Sequence, residues 1–221
     1  MKIILTGAQG TGKTTVLNEF KNSDFEIVTE VVRNLAKKGV KINEDGDEKD
    51  QTKIFNEYKK IFSSKEHFIS DRGLIDVVAY TVYLARHGKV SEEFANKQIK
   101  QLHKFILTNP DIFYCYFPIE FDVVVDDVRD PDEDFRSEIS DIILSLLGAL
   151  GLGFVVVRGS VEERIEKVKD WFTKTDYVEA LNKTYKEYES FTGEVAFFME
   201  QVTGHTICDF GVALQKGTWY I

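Results

Sequence analysis

Short apolar runs alternate with longer stretches of helical period through residues 1–172. The runs at 2–6, 25–29, 67–70, 112–117 and 154–158 predict strands. Between them, Ile54, Phe55, Tyr58, Ile61 and Phe62 fall on one helical face. Ile139, Ile142, Ile143, Leu146, Leu147 and Leu150 repeat that stripe, and Gly151 and Gly153 close it. Residues 73–87 are apolar on nearly every side, which predicts a deeply buried helix. A further helix spans 94–107 and stops before Asn109-Pro110. Ser160, with Glu163 three positions on, is a capping box opening a helix that runs to 172. Val123-Val124-Val125, set between acids, reads as a loop or a minor strand.

Strands separated by helices predict an α/β fold: a five-stranded parallel sheet in three layers, with helices on both faces. Ligands of such sheets sit at the carboxyl ends of the strands. The expected organisation is a core over 1–172, with a lid at about 120–136, and a C-terminal extension over 173–221 packed on that core. In the extension the pattern predicts a helix across 176–191 and short strands or loops at 205–208 and 217–221.

Composition narrows the partners. The 221 residues include 43% hydrophobic ones, enough for one sizeable core, and only three prolines. A net charge of −9 argues against a nucleic-acid ligand, although a local basic groove is compatible with it. Cys115 and Cys208 show no metal-ligand spacing and are expected as reduced thiols. No apolar run is long enough to span a membrane, and the chain opens directly into a strand with no leader. The expected compartment is the cytoplasm, or a host's cytoplasm for a viral source. A homodimer is compatible with all of this.

Between the first predicted strand and helix stands Gly7-Ala8-Gln9-Gly10-Thr11-Gly12-Lys13-Thr14-Thr15. It contains G-x-x-x-x-G-K-T, the phosphate-binding P-loop pattern, in its required strand–loop–helix context. The glycines let backbone N–H groups crowd a phosphate, and the helix N-terminus faces the anion. The pattern gives a nucleoside triphosphate as the ligand, with Lys13 on the β- and γ-phosphates and Thr14 on Mg²⁺. Gly7, Gln9, Gly10, Thr11, Gly12, Lys13, Thr14 and Thr15 are the expected nucleotide contacts.

Other candidates follow from the strand ends. The second strand runs into Glu30 and the third into Asp71-Arg72. Asp71 suits Mg²⁺ or a proton from an acceptor hydroxyl; Glu30 suits the proton role equally. Arg72 would steady a phosphate. The competing readings are a dipole-complementing acid for Glu30 and a structural ion pair for Asp71 with Arg72. Arg129 and Arg136 flank an acidic, proline-containing segment and read as lid arginines, against the alternative of pairing with their acidic neighbours. Arg158-Gly159-Ser160 is either a resting place for the adenine base or a plain capped turn.

Together these residues resemble the P-loop kinases of nucleosides and nucleotides, including thymidylate and deoxynucleoside kinases. More narrowly, Glu30-x-x-Arg33, Gln51, Asp71-Arg72-Gly73 with Asp76, and Arg129 through Phe135-Arg136 resemble the AAA-type ATPase/kinase family related to nicotinamide riboside kinases. The resemblance covers about residues 1–172 and implies a phosphotransferase. ATP is the implied donor and a nucleoside, nucleoside monophosphate or related small molecule the acceptor. Lys13, Glu30, Asp71, Arg72, Arg129 and Arg136 are the implied catalytic set, with Mg²⁺ on Thr14 and Asp71. A polynucleotide or modified-base kinase and a nucleotide-switched module are the alternatives.

Overall fold

The computed structural model describes residues 1–121 and 133–173. Five parallel strands form one sheet: β1 (Lys2–Thr6), β2 (Glu26–Val28), β3 (Phe68–Asp71), β4 (Ile112–Tyr116) and β5 (Phe154–Val156), in the order β2-β3-β1-β4-β5. Among the described residues, seven helices connect or flank them: α1 (Lys13–Asn18), α2 (Val31–Ala36), α3 (Glu48–Ser64), α4 (Leu74–Arg86), α5 (Glu92–Leu107), α6 (Glu133–Ala149) and α7 (Val161–Thr173). A 3₁₀ turn at Asn43–Asp45 precedes α3.

Two strands are shorter at their ends than their apolar runs. The second spans Glu26–Val28 rather than 25–29, and the fifth stops at Val156 rather than 158. Apolar character continues past each ladder because Phe25 and Val157 still pack into the core. Asp71 is the last residue of β3 itself. The first helix begins at Lys13, ahead of its apolar stripe, because the loop residues Lys13 and Thr14 already form its first turn.

Alternation along the strands divides the interior into two cores. Ile4, Phe68, Tyr114, Tyr116 and Phe154 face a large cluster with α3, α4, α5 and α6. Ile3, Leu5, Ile69 and Cys115 face a smaller one with Val16, Leu17, Val168 and Trp171 of α1 and α7. This is the three-layer arrangement expected from the sequence.

Local chemistry sets the helix starts. Asp47 accepts from the Asp50 N–H at 2.9 Å to open α3, and Ser91 accepts from the Phe94 N–H at 3.2 Å to open α5. At α7 the Glu163 N–H donates to Ser160 Oγ at 3.3 Å, while the Ser160 N–H donates to Glu163 Oε2 at 2.7 Å. That reciprocal pair is the capping box expected there.

The segment expected as a lid is described at its two ends. Glu120 and Phe121 follow β4, and residues 133–136 form the first turn of α6. The minor strand or loop at 123–125, Arg129, the helix at 176–191, Cys208 and the strands at 205–208 and 217–221 lie outside the described residues.

Candidate active site at the carboxyl edge of the sheet

β1 occupies the middle of the sheet, pairing with β3 on one side and β4 on the other. Its last residues deliver the chain into the glycine-rich loop. Gly7, at φ 140°, lies so close to the Phe117 carbonyl that a Cβ would strike it. Gly12, at φ 85°, caps α1, and a Cβ there would come within 3.0 Å of Arg164 Nη1 and 3.3 Å of the Phe121 ring. Both positions therefore need glycine, for conformation and for space.

Lys13 is 5% exposed, and its ammonium donates to the carbonyls of Gly7 at 2.9 Å and Ala8 at 2.6 Å, and to Thr11 Oγ1 at 3.1 Å. Those three acceptors hold the charge at the centre of its own loop. Beside it, Thr14 Oγ1 donates to Asp71 Oδ2 at 2.5 Å. The register places Asp71 opposite Leu5, one residue before the end of β1, so the contact follows from the sheet.

The loop is held from behind by two buried arginines. Arg136, fully buried, donates through Nε to the Gln9 carbonyl at 3.3 Å, through Nη2 to the Phe121 carbonyl at 3.2 Å, and through Nη1 to Glu133 at 2.7 Å. Arg164 of α7, 4% exposed, donates through Nη1 to the Thr11 carbonyl at 2.8 Å and through Nε to the Gly159 carbonyl at 2.7 Å. It also pairs with Glu120 and stands 5.1 Å from the Phe121 ring centroid. Expected as a lid arginine, Arg136 is instead part of the wall under the loop. Arg164 was not among the sequence candidates. Its signal was present: it shares a stripe with Val168 and Trp171, so a cation stands where the helical period calls for an apolar residue.

A cleft of about 300 Å³ runs along this edge. Gln9 through Thr15 line one part, and Glu30, Asp71 and Arg72 line it as well. Asn43, Gln51, Ile54, Tyr58, Val77 and Tyr80 line the rest. Glu30 and Arg72 carry left-handed backbones, at φ 59° and 79°, conformations that cost a non-glycine residue about 1–2 kcal/mol. Glu30 is exposed and lies 3.6 Å from Arg33 Nε. Arg72 turns away from Asp71 toward Asp76, whose Oδ1 is 3.7 Å from its Nη1, and stands 5.5 Å from the Tyr80 ring centroid. The competing reading of a structural Asp71–Arg72 ion pair gives way to an Asp76–Arg72 pair. Burial lowers the pKa of the Arg72 guanidinium, but Tyr80, Asp76, Asp71 and Tyr58 together outweigh that and hold it firmly protonated.

Asp76, 1% exposed, accepts from the N–H of Gly73 at 2.8 Å and that of Gly7 at 3.4 Å. It joins the start of α4 to the start of the loop. Burial pushes its carboxyl up, against the opposing pull of Arg72 and Lys13.

A parallel five-stranded sheet carrying this loop after its central strand defines a P-loop nucleotide-binding protein with a nucleoside kinase-like fold. The chain belongs to the AAA domain family AAA_28, whose model matches residues 2–164. Among solved structures, it is similar to deoxyadenosine kinase from M. mycoides with dCMP and a flexible dCDP bound, at 19% identity and a TM-score of 0.60, over 78% of this chain and 98% of that one. The same kinase with dATP gives 18% and 0.58 over 79% and 100%. The NadR protein in complex with NR gives 17% and 0.57, over 77% of this chain and 51% of that chain, so the match spans about half of NadR. At these identities the likeness is one of fold. No curated protein sequence matches the chain significantly. No described helix is long and apolar enough to cross a membrane.

Proposed function

We propose that the chain transfers the γ-phosphoryl group of ATP to a hydroxyl of a nucleoside-like acceptor. One observation carries the reading: a single cleft is lined both by the phosphate-gripping loop and by a chamber of amides, tyrosines and aliphatic side chains, with Glu30 and Asp71 on its walls. A triphosphate and a flat, polar-edged molecule fit its two ends. Among the described lining residues, the arginines are matched by carboxylates, Arg33 by Glu30 and Arg72 by Asp76.

The roles divide by geometry. Lys13 and the loop N–H groups hold the phosphates. The Thr14 hydroxyl and Asp71 carboxylate are adjacent hard oxygen donors, the type that suits Mg²⁺, and these two residues would hold it. When bound, Mg²⁺ neutralises charge on the phosphate oxygens. Asp71 is engaged by Thr14, and Glu30, exposed on the cleft wall with Arg33 at 3.6 Å, takes the base role. The acceptor oxygen bonds to the γ-phosphorus as the bond to the β,γ-bridging oxygen breaks. Its proton passes to Glu30, and ADP departs with the bonding electron pair.

A coupled assay of ADP release across nucleosides and nucleoside monophosphates tests this, with Lys13→Ala as the control. Acceptor-dependent release with a nucleoside, lost in Lys13→Ala, is the expected result. Release that no nucleoside or monophosphate stimulates would overturn the reading.

A further inference from the structure

The outer surfaces of α3 and α5 carry a charge opposite to that of the whole chain. The two helices run side by side in the same direction. At their starts, Glu48 accepts from the N–H and the hydroxyl of Ser91, at 3.0 and 2.7 Å. Further on, Gln51 and Gln98 both stand 3.3 Å from the Thr81 hydroxyl. Near their ends the Phe62 and Phe105 ring centroids are 6.5 Å apart. Ile54, Phe55, Tyr58 and Phe62 turn one side of α3 into the core, and Ala95, Leu102 and Phe105 do the same for α5. The helical period puts lysines on the opposite side. Lys49, Lys53 and Lys60 stand at i, i+4 and i+11, with Lys59 beside them, and Lys97, Lys100 and Lys104 at i, i+3 and i+7. All seven are exposed, and so are Thr52, Asn56 and Gln101 between them.

Carboxylates are kept to the start and the flank of this face. Glu48 is bonded to Ser91, the buried Asp50 is 3.8 Å from Lys53, and Glu92 and Glu93 belong to the first turn of α5. Glu57 turns the other way and lines a groove with Val31 and Leu35 of α2. Residues 94–107 contain no Asp or Glu at all, in a chain whose net charge is −9. We propose that this face binds the sugar–phosphate backbone of a duplex nucleic acid without reading its sequence. Lysines neutralise phosphates as point charges, and Thr, Asn and Gln side chains donate to phosphate and sugar oxygens. The make-up of the face disfavours other anionic partners. Protein interfaces enrich Arg and aromatic residues and deplete Lys, yet neither helix contains an arginine or an exposed aromatic ring. Single strands call for aromatic platforms, and a membrane surface for an apolar fringe, whereas the exposed large apolar residue on these helices is Leu107, at the very end of α5. The proposal does not depend on which molecule accepts phosphate in the cleft.

The test is fluorescence anisotropy on the full chain with two labelled duplexes of unrelated sequence, each of roughly 20 base pairs, over about 50–200 mM salt. Both should bind alike, with a Kd of about 1–100 µM, and log K should fall against log salt with a slope of about −4. The combined variant Lys53→Gln, Lys60→Gln, Lys97→Gln, Lys104→Gln should bind about tenfold more weakly or worse, with the slope flattened by about three. A control that removes the same charge elsewhere, Lys21→Gln, Lys37→Gln, Lys38→Gln, Lys167→Gln, replaces four exposed lysines off this face and should change neither quantity by much. Thermal melts establish that both variants are folded. If the first fails to fold, its two halves decide, since the pair on α3 and the pair on α5 should each give about half of the effect. No duplex binding at the lowest salt, or an equal loss in the control, would overturn the proposal. So would tighter binding of a single strand, of poly-glutamate of matched charge or of phosphatidylserine vesicles.

Discussion

Arg164 Nη1 donates to the Thr11 carbonyl at 2.8 Å, joining the last described helix to the phosphate loop across 153 positions. A loop that turns its N–H groups toward an anion must turn carbonyls the other way. Where those carbonyls are buried they need donors. Arg164 and Arg136 supply them for Thr11 and Gln9. Replacing Arg164 by Met strands the Thr11 and Gly159 carbonyls and the Glu120 carboxylate together. Arg164→Met should therefore lose about 3 kcal/mol of stability, read by chemical denaturation. It should also weaken ATP binding in the protein that remains folded. Arg164→Lys keeps the charge but not the fork, and should recover less than half of either loss.

The left-handed backbone at Glu30 separates two effects that a single substitution would merge. Glu30→Gly removes the carboxylate and relieves the strain. Glu30→Ala removes the carboxylate and keeps the strain. Both should abolish most phosphoryl transfer, while the glycine variant should be about 1 kcal/mol more stable than the alanine variant. Paired thermal melts and turnover measurements check this. Equal stability of the two would show the conformation to be unstrained, and full activity of either would remove Glu30 from the base role.

Asp76 gives a pH dependence of definite sign. Its folded carboxyl is raised above the ordinary value of 3.8, chiefly by burial, despite Arg72 and Lys13. The native state therefore binds this proton more tightly than the unfolded chain does. Above about pH 3.8 the unfolded chain releases it first, so stability falls as pH rises toward the folded value, and the whole deficit is present beyond it. The stability of Asp76→Asn relative to the parent should rise with pH through that window and then level. Denaturation at a series of pH values measures it, and a flat or falling difference would contradict the burial argument.

The Thr14–Asp71 contact makes a prediction about metal. Thr14→Val and Asp71→Asn should each raise the Mg²⁺ concentration needed for half-maximal activity by roughly tenfold or more. The KM for the nucleoside should move much less. Magnesium titrations at saturating ATP separate the two quantities. An unchanged magnesium requirement in both variants would place the ion elsewhere.

Much of this architecture is legible in local pattern. The loop motif, the five apolar runs, the Ser160–Glu163 box and the placement of acids after strands are all short-range signals, and each leads to an element that the structure contains. What escaped is what depends on partners far apart in sequence. Nothing near Arg136 announces that the Gln9 carbonyl stands behind it, so a buried clamp reads as a lid arginine. Arg72 has Asp71 beside it in sequence, yet backbone geometry at φ 79° swings it to Asp76. Thr81 of α4 stands 3.3 Å from both Gln51 of α3 and Gln98 of α5, and no window along the chain holds all three.

The strand order also bears on how the chain reaches this state. β1 precedes both of its neighbours in the chain, residues 68–71 and 112–116. Until both have emerged from the ribosome, β1 has no ladder on either side, and the glycines that follow it have no frame to bend against. Parallel pairings of such long separation are slow to close. The grip on the triphosphate is thus encoded ahead of both neighbouring strands and acquired only once they are in place. A truncated product that stops short of residue 112 would carry the whole motif and none of its affinity.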